Sequence, residues 1–197
     1  MTSVIGFVAL IITALWLGSC ETLTVLPLYQ DKNLTWNQVD NIAVLPTVDA
    51  RLDKKTKLEL LDKWVHSRLE DCLLDKGYSF KILTDRSLVQ DFAEDSFSEI
   101  DSASITALKP QDKRWILIPV LHDFSSKITF GSTANSEISA YLFDKKAGKL
   151  VWRHKATGQA GQGGLFGMAE ILFVRKKAVT NAVSTLILAL PSRQGKR

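Results

Sequence analysis

The chain has 197 residues, of which 46% are hydrophobic and 23% are charged. This is an ordinary globular composition, and the length suits one domain with one core. The formal net charge of +4 is spread along the sequence except for the closing RQGKR, and no basic stripe with interleaved aromatic residues occurs. We therefore expect no nucleic-acid partner.

An uncharged apolar run opens the chain, since residues 4–17 read VIGFVALIITALWL. Its length matches the core of a secretory signal peptide and falls short of the roughly 20 residues needed to span a bilayer. The run ends in Leu17, Gly18, Ser19 and Cys20, which resembles the lipobox of bacterial lipoprotein signal peptides. Residues 1–6 depart from such peptides because they carry no Lys or Arg.

The lipobox resemblance implies cleavage between Ser19 and Cys20 and lipid attachment at Cys20. The cysteine thiol would take a diacylglycerol as a thioether, and the small residues before it fit the peptidase. Two or more acyl chains anchor a protein firmly, because each buried methylene contributes about 0.8 kcal/mol. We therefore expect a membrane-anchored lipoprotein with residues 1–19 as its signal peptide, the alternative being a hydrophobic N-terminal core element. Glu21 replaces the Asp of an inner-membrane retention signal, which favours the outer membrane, facing the periplasm.

The rest of the chain divides by composition into three parts. We interpret residues 20–40 as the lipidated N-terminus and a tether, because they lack clean periodicity; packing of their apolar side chains on the domain is the alternative. Residues 41–191 are predicted to form a single α/β domain. Residues 192–197 are predicted to be a basic C-terminal tail.

The domain begins with a buried strand in NIAVLP, residues 41–46. A helix follows, with Asp53 as its predicted N-cap and Gly77 as its stop. Because the helix crosses over, the strand YSFKIL at residues 78–83 should lie parallel to the first. Two short segments of helical character lead to Pro110.

A β section follows, with strands predicted in RWILIPV, HDFSSKITF, NSEISAYLFD and KLVWRHKATG. In the last of these, Leu150, Trp152 and His154 are predicted to share one face. The glycine-rich residues 158–164 predict a flexible hinge, and a final helix ending before Pro191 presents an apolar face to the sheet. The order β-α-β-α-β-β-β-β-α predicts an α/β (α+β) fold with a mixed sheet and helices packed on it.

Residues with catalytic or metal-binding chemistry are few. His66, His122 and His154 form no metal-spaced pair, so we predict no metal site. No Gly-x-Ser-x-Gly elbow occurs, and residues 158–164 lack the Lys-Ser or Lys-Thr ending of a phosphate loop. We predict no catalytic residue and no cofactor; a periplasmic hydrolase, for instance with His122 and Asp123 as an acid/base pair, is the less favoured alternative.

Two further segments carry interpretations of their own. Cys72 lies on the apolar face of the first predicted helix and is interpreted as a buried residue, alone once Cys20 is modified. Residues 163–174, GGLFGMAEILFV, are apolar at almost every helical angle. Burial in the core is favoured there, with partner contact and insertion at a bilayer surface left open.

Several of these segments together resemble a known group. NIAVLP, the helix and strand after it, the hairpin AYLFDKKAGKLVW with its Asp-x-x-x-Gly turn before a Trp, and the final helix are similar to envelope lipoproteins with a TolB-N-terminal-like or CsgG-like α/β domain. The resemblance covers about residues 40–190. It implies a non-enzymatic module that binds or scaffolds other envelope components, whose identity stays open. The alternative is a subunit of an oligomeric secretion or export assembly, with residues 158–174 and the open sheet edges as contacts.

Overall fold

The structure, a computed structural model, describes residues 23–90, 92, 100–164 and 170–193. Its strands are β1 (Leu23–Gln30), β2 (Ile42–Val44), β3 (Val48–Asp49), β4 (Phe80–Ile82), β5 (Trp115–Thr129), β6 (Gly131–Asp144) and β7 (Lys149–Gly163). Its helices are α1 (Leu58–Asp75), α2 (Ser102–Ala107) and α3 (Ile171–Leu188), and short 3-10 turns span Trp36–Gln38 and Arg86–Leu88. The mixed sheet with helices packed on it confirms the predicted fold class.

The sheet joins a parallel part to an antiparallel part. Its strand order is β1-β7-β6-β5-β2-β4, and β3 pairs with β5 beside this path. β2 lies parallel to both β4 and β5, as expected of strands that are joined through helices. β5, β6, β7 and β1 form antiparallel pairs. The predicted parallel pairing across α1 and the predicted antiparallel meander are both confirmed.

Two hydrophobic clusters cover the two faces of the sheet. α1 and α3 pack on one face, where Trp152 and Leu117 lie in the larger cluster. Ile105 of α2 packs on the other face with Ile116 and Phe143. The apolar residues predicted to face the sheet from the last helix are all buried, namely Ala178, Val179, Ala182, Val183, Leu186, Ile187 and Leu190.

Helix α1 begins later than predicted and ends as predicted. It starts at Leu58, whereas Asp53 accepts a hydrogen bond from the Lys55 N–H at 3.0 Å, so the N-cap prediction is wrong. Gly77 has a φ of +77°, and its N–H donates to Leu74 O, while the Tyr78 N–H donates to Leu73 O. These two bonds close the helix in a Schellman motif, which glycine favours because it enters the left-handed region without strain.

Two predicted strands, at residues 114–120 and 122–130, are the single strand β5. Pro119 is tolerated inside it because the parallel partner changes there from β2 to β3. The Leu45 N–H donates to Leu117 O before this point, and the Ala50 N–H donates to Leu121 O after it. Proline has no N–H to donate, and Pro119 lies between the hydrogen bonds that join β5 to the β2 segment and those that join β5 to the β3 segment.

The predicted tether contains a strand. Residues 23–30 form β1, which pairs antiparallel with β7 from Leu23 opposite Gly158 to Gln30 opposite Trp152. Leu34 and Trp36 pack against the larger cluster, as in the alternative that the sequence left open. Residues 23–30 form a strand because the edge of β7 pairs with them, and the local sequence pattern does not indicate this pairing.

Two further predictions about β7 are wrong. The glycine-rich segment is not a hinge up to Gly163, because it continues β7 and pairs with β6 as far as Gly131. Leu150 does not share a face with Trp152, because a bulge between Leu142 and Phe143 shifts the register, and Leu150 packs with the second cluster.

Candidate functional site

The residues predicted to carry the lipid lie outside the described part of the chain. Ser19 and Cys20 belong to residues 1–22, so cleavage and lipidation stay predictions. Cys72 is buried in α1, and burial raises the pKa of its thiol. Its interpretation as a buried residue is confirmed.

The three histidines occupy separate environments. His66 Nε2 lies 3.1 Å from Leu45 O, and His122 Nε2 lies 2.7 Å from Ser139 Oγ. His154 stacks on Trp152 with ring centroids 4.8 Å apart, and burial lowers its pKa. Within the described residues, no group of three or more His, Cys, Asp and Glu side chains could hold a metal ion.

His122 and His154 face opposite sides of the sheet. His122 contacts Ser139, whereas His154 lies opposite Ala140, and consecutive residues of a strand point to opposite faces. A bulge separates Leu121 from Asp123, the residue predicted as an acid/base partner of His122. The fold therefore does not combine the two strand histidines into one site.

A polar cluster lies where the parallel strands β2 and β4 end, the edge at which open α/β sheets commonly bind ligands. Asp62 of α1 accepts the Thr47 N–H at 2.9 Å and Arg86 Nη2 at 2.8 Å. His66 Nε2 lies 3.5 Å from the same carboxylate. The cluster links α1 to the segments after β2 and β4, so these polar groups serve the packing of the domain.

A basic cleft of about 360 Å³ lies at the start of β5 and the end of β6, and we call this end of the molecule the base. It is lined by Thr106, Gln111, Asp112, Lys113, Arg114, Lys145 and Lys146. Arg114 makes two hydrogen bonds with Asp144, at 2.9 and 2.6 Å, and lies 4.4 Å from the centroid of the Trp115 ring. Lys145 Nζ donates to Pro110 O at 2.8 Å.

Internal hydrogen bonds and burial shift the pKa values of two side chains at the cleft, Asp144 and Lys145. Burial pushes the pKa of Asp144 up, but hydrogen bonds from Arg114 and from the Ala147 N–H outweigh it and hold that pKa below its ordinary value. Burial lowers the pKa of Lys145. The sequence analysis missed this cluster, although Asp-Lys-Arg at residues 112–114 and Asp-Lys-Lys at residues 144–146 flank strands that pair.

The opposite end of the sheet, at the turn between β5 and β6, is apolar at its surface. Large hydrophobic side chains are exposed there: Ile128 by 49%, Phe130 by 82%, and Leu172 and Phe173 by 58% each. We call these four residues the apolar tip. The prediction of core burial for residues 163–174 holds for Val174 and is wrong for Leu172 and Phe173, while residues 165–169 lie outside the described part.

A second cleft, of about 500 Å³, adjoins the apolar tip. Its lining is mostly polar and includes Thr129, Thr133, Asn135, Gln159 and Gln162, and Phe130 of the apolar tip also lines it. Among the described helices, none combines the length and the apolar content that a membrane crossing requires.

The geometry defines a class of protein: an α/β domain with helices on both faces of a mixed sheet. One end of the domain, the base, has a basic cleft, and the opposite end is the apolar tip. No family model and no curated protein sequence matches the chain. Its fold is similar to that of the PelC dodecamer from Paraburkholderia phytofirmans, with a TM-score of 0.50 and 15% identity over 89% of this chain and 100% of that chain.

Structures of bacterial lipoproteins are also similar. Lipoprotein GNA1162 from Neisseria meningitidis has a TM-score of 0.46 at 13% identity, over 68% of this chain and 94% of that chain. A minor lipoprotein from Acinetobacter baumannii has a TM-score of 0.42 at 7% identity, over 80% of this chain and 98% of that chain. Such low identities concern the fold alone.

Proposed function

We propose that this chain is a lipid-anchored protein of the bacterial envelope, cleaved after Ser19 and lipidated at Cys20. Its α/β domain binds or scaffolds other envelope components without catalysis, and it faces the periplasm from the outer membrane. The observation that carries the proposal is the position of Cys20, directly after an apolar leader and three residues before β1 begins at Leu23.

The position of β1 supports an anchor close to the domain. Three residues of extended chain span at most about 10 Å, so a lipid on Cys20 would lie beside the first residue of the sheet. β1 is an edge strand, so Leu23 lies at the border of the sheet. A signal peptide could therefore be removed without disturbing any described element.

The internal pairing of polar groups supports a non-catalytic role. Asp62 is held by Arg86 and the Thr47 N–H, and Asp144 is held by Arg114. Carboxylates whose oxygens accept internal donors in this way stabilise the fold.

Incorporation of labelled fatty acid tests the proposal. The wild-type chain and Cys72→Ala, which removes the buried second cysteine, should both take up the label in a bacterial host, and Cys20→Ala should not. Cys72→Ala is the matched control because it removes a thiol without touching the leader. Equal labelling of Cys20→Ala would overturn the proposed function.

A second candidate is a subunit of an oligomeric export assembly. The fold likeness to a dodecamer supports it, and so do the two sheet edges, β1 and β4, that the described strands leave open. Light scattering on the full-length lipidated chain in detergent should then give a mass many times that of one subunit. A monomer at all concentrations would contradict this candidate and leave the anchored accessory module in place.

A further inference from the structure

The apolar tip combines two elements at one end of the sheet. Phe130 forms the turn between β5 and β6, and Leu172 and Phe173 lie in the first turn of α3. Arg175 Nε donates to Ser126 Oγ at 2.9 Å, which holds the start of α3 against the end of β5. The exposed side chains of both elements are therefore presented at the same end of the molecule.

Strand β1 runs away from the tip, so Leu23 is the residue of β1 nearest to that end. β7 runs to the tip and ends at Gly163, where it pairs with Gly131 beside Phe130. β1 runs in the opposite direction and begins at Leu23, opposite Gly158. Leu23 therefore lies about 16 Å from the end of β7 along the strand direction, at about 3.3 Å per residue. Cys20 comes three residues before Leu23 in the sequence, so it can lie at most about 10 Å from Leu23.

The charges beside the tip are mainly basic. Lys127 precedes Ile128 on β5 and is exposed, and Arg175 and Lys176 follow Phe173 on α3. Glu170 is the acidic residue just before the helix. Exposed aromatic and aliphatic side chains with a basic rim are the pattern of a surface that sits in the headgroup region of a bilayer.

We propose that the apolar tip inserts into the interface of the membrane that holds the lipid on Cys20. This inference rests on the proposed function, because the lipid brings the tip to the bilayer. Phe130, Leu172 and Phe173 then lie among the headgroups and upper acyl chains, and Lys127 and Lys176 contact anionic headgroups. The base of the domain, with its basic cleft, faces away from the membrane toward envelope components.

Two features favour a membrane over a second copy of the chain as the occupant. The tip consists of a turn and a helix start with exposed apolar side chains, whereas strand pairing between copies would use the edges β1 and β4. The short link from Leu23 to Cys20 also leaves little distance between the tip and the lipid. Because Leu23 is about 16 Å from the end of β7 and Cys20 is at most about 10 Å from Leu23, a link extended toward the tip would bring the lipid within about 6 Å of it.

Fluorescence of single-site labels on the full-length lipidated chain tests this proposal. Phe130→Cys and Leu172→Cys each receive an environment-sensitive dye, and the protein is reconstituted into vesicles of phosphatidylethanolamine and phosphatidylglycerol. Leu188→Cys is the matched control, since Leu188 is a 69% exposed leucine at the other end of α3. The unsubstituted chain, treated in the same way, measures labelling of the buried Cys72.

We expect several-fold brighter, blue-shifted emission for the two tip labels, with quenching by a lipid-borne quencher, and neither change for the label at residue 188. Incorporated fatty acid is measured on the same samples. Lipidated protein whose tip labels stay as in water would overturn the tip contact and leave the proposed function standing. Tip labels that are shielded in detergent in proportion to protein concentration would overturn it in favour of contact between copies.

Discussion

Two ion pairs inside the domain join near neighbours, one in sequence and one across the sheet. Buried Arg51 makes two hydrogen bonds with Asp49, at 2.7 and 3.0 Å. Arg114 makes the equivalent pair with Asp144 at the base, where β5 begins and β6 ends. Removing one partner leaves the other desolvated and without its opposite charge, so these pairs are costly to break.

Replacing Asp144 by Asn should lower the free energy of unfolding by about 1–3 kcal/mol, because Arg114 loses its carboxylate. Asp112→Asn is the control, since that side chain is 74% exposed and lies 3.7 Å from Lys113. Urea unfolding at neutral pH measures both variants. Equal losses in the two variants would contradict the importance of the Arg114 pair.

Acid should weaken the same pair. The pKa of Asp144 is lower in the folded protein than in the unfolded chain, so its stabilisation is complete above the unfolded pKa of about 3.9. The stabilisation is lost as the pH falls below that value. Urea unfolding across this range should therefore show a shallower pH dependence for Asp144→Asn than for the wild-type chain.

His154 should make the domain sensitive to mild acid. Burial lowers its pKa, so the unfolded chain takes up a proton first as the pH falls below about 6.5, and the free energy of unfolding decreases. His154→Phe, which keeps a ring on Trp152, should lose less stability than the wild-type chain between neutral pH and about pH 5. Thermal unfolding at both pH values measures the difference, and identical pH slopes would contradict this role.

Among the elements, α3 and β7 approach each other closely at Gly158. A Cβ atom at this position would lie 2.3 Å from both Ala178 O and Ala182 N. Small residues on the helix face, including Ala178 and Ala182, allow the backbone of the helix to lie close to the strand. The glycine-rich composition of this segment thus serves packing between helix and sheet.

Gly158→Ala should destabilise the domain by about 1–3 kcal/mol, because α3 must move away from β7 to admit the methyl group. Gly161→Ala is the matched control on the same strand, since its Cβ would meet ordinary contacts at 3.5 and 3.6 Å. Urea unfolding of the two variants decides the point. A loss for Gly161→Ala as large as that for Gly158→Ala would show that strand geometry, and not helix contact, requires the glycine.

The molecule as a whole has two unlike ends. The base carries the basic cleft and the turn between β6 and β7, and the tip carries exposed apolar side chains at the turn between β5 and β6. β1 leads from the tip end toward the base along β7. If Cys20 carries a lipid, the pairing of β1 limits the distance between the domain and the membrane, because the chain is tied to the sheet from Leu23 onward.

Hydrogen exchange distinguishes a tied segment from a tether. Amides of residues 23–30 that donate to β7 should exchange far more slowly than those of an unstructured chain, because ladder bonds must open first. Residues 52–57, which precede α1 and are exposed except for half-buried Thr56, provide an internal reference. If the amides of residues 23–30 exchange as fast as those of the reference, these residues do not form a strand paired with β7, and the predicted tether would be correct.

The sequence by itself determined the elements whose signals are local. The apolar periodicity of the two long helices, the helix stop at Gly77 and the alternation along the meander all depend on residues a few positions apart. It also led to Cys20, whose lipidation stays a prediction. These signals sufficed for the fold class and for the parallel pairing of β2 with β4.

Only the tertiary structure decided the features that depend on distant partners. β1 and the glycine-rich end of β7 are strands because neighbouring strands satisfy their backbone groups, and no local pattern reports that pairing. The Asp144 pair, the exclusion of Leu150 from the face of Trp152 and the exposure of Leu172 follow from sheet register and helix placement. These depend on contacts between segments far apart in the chain, which hydrophobic periodicity does not specify.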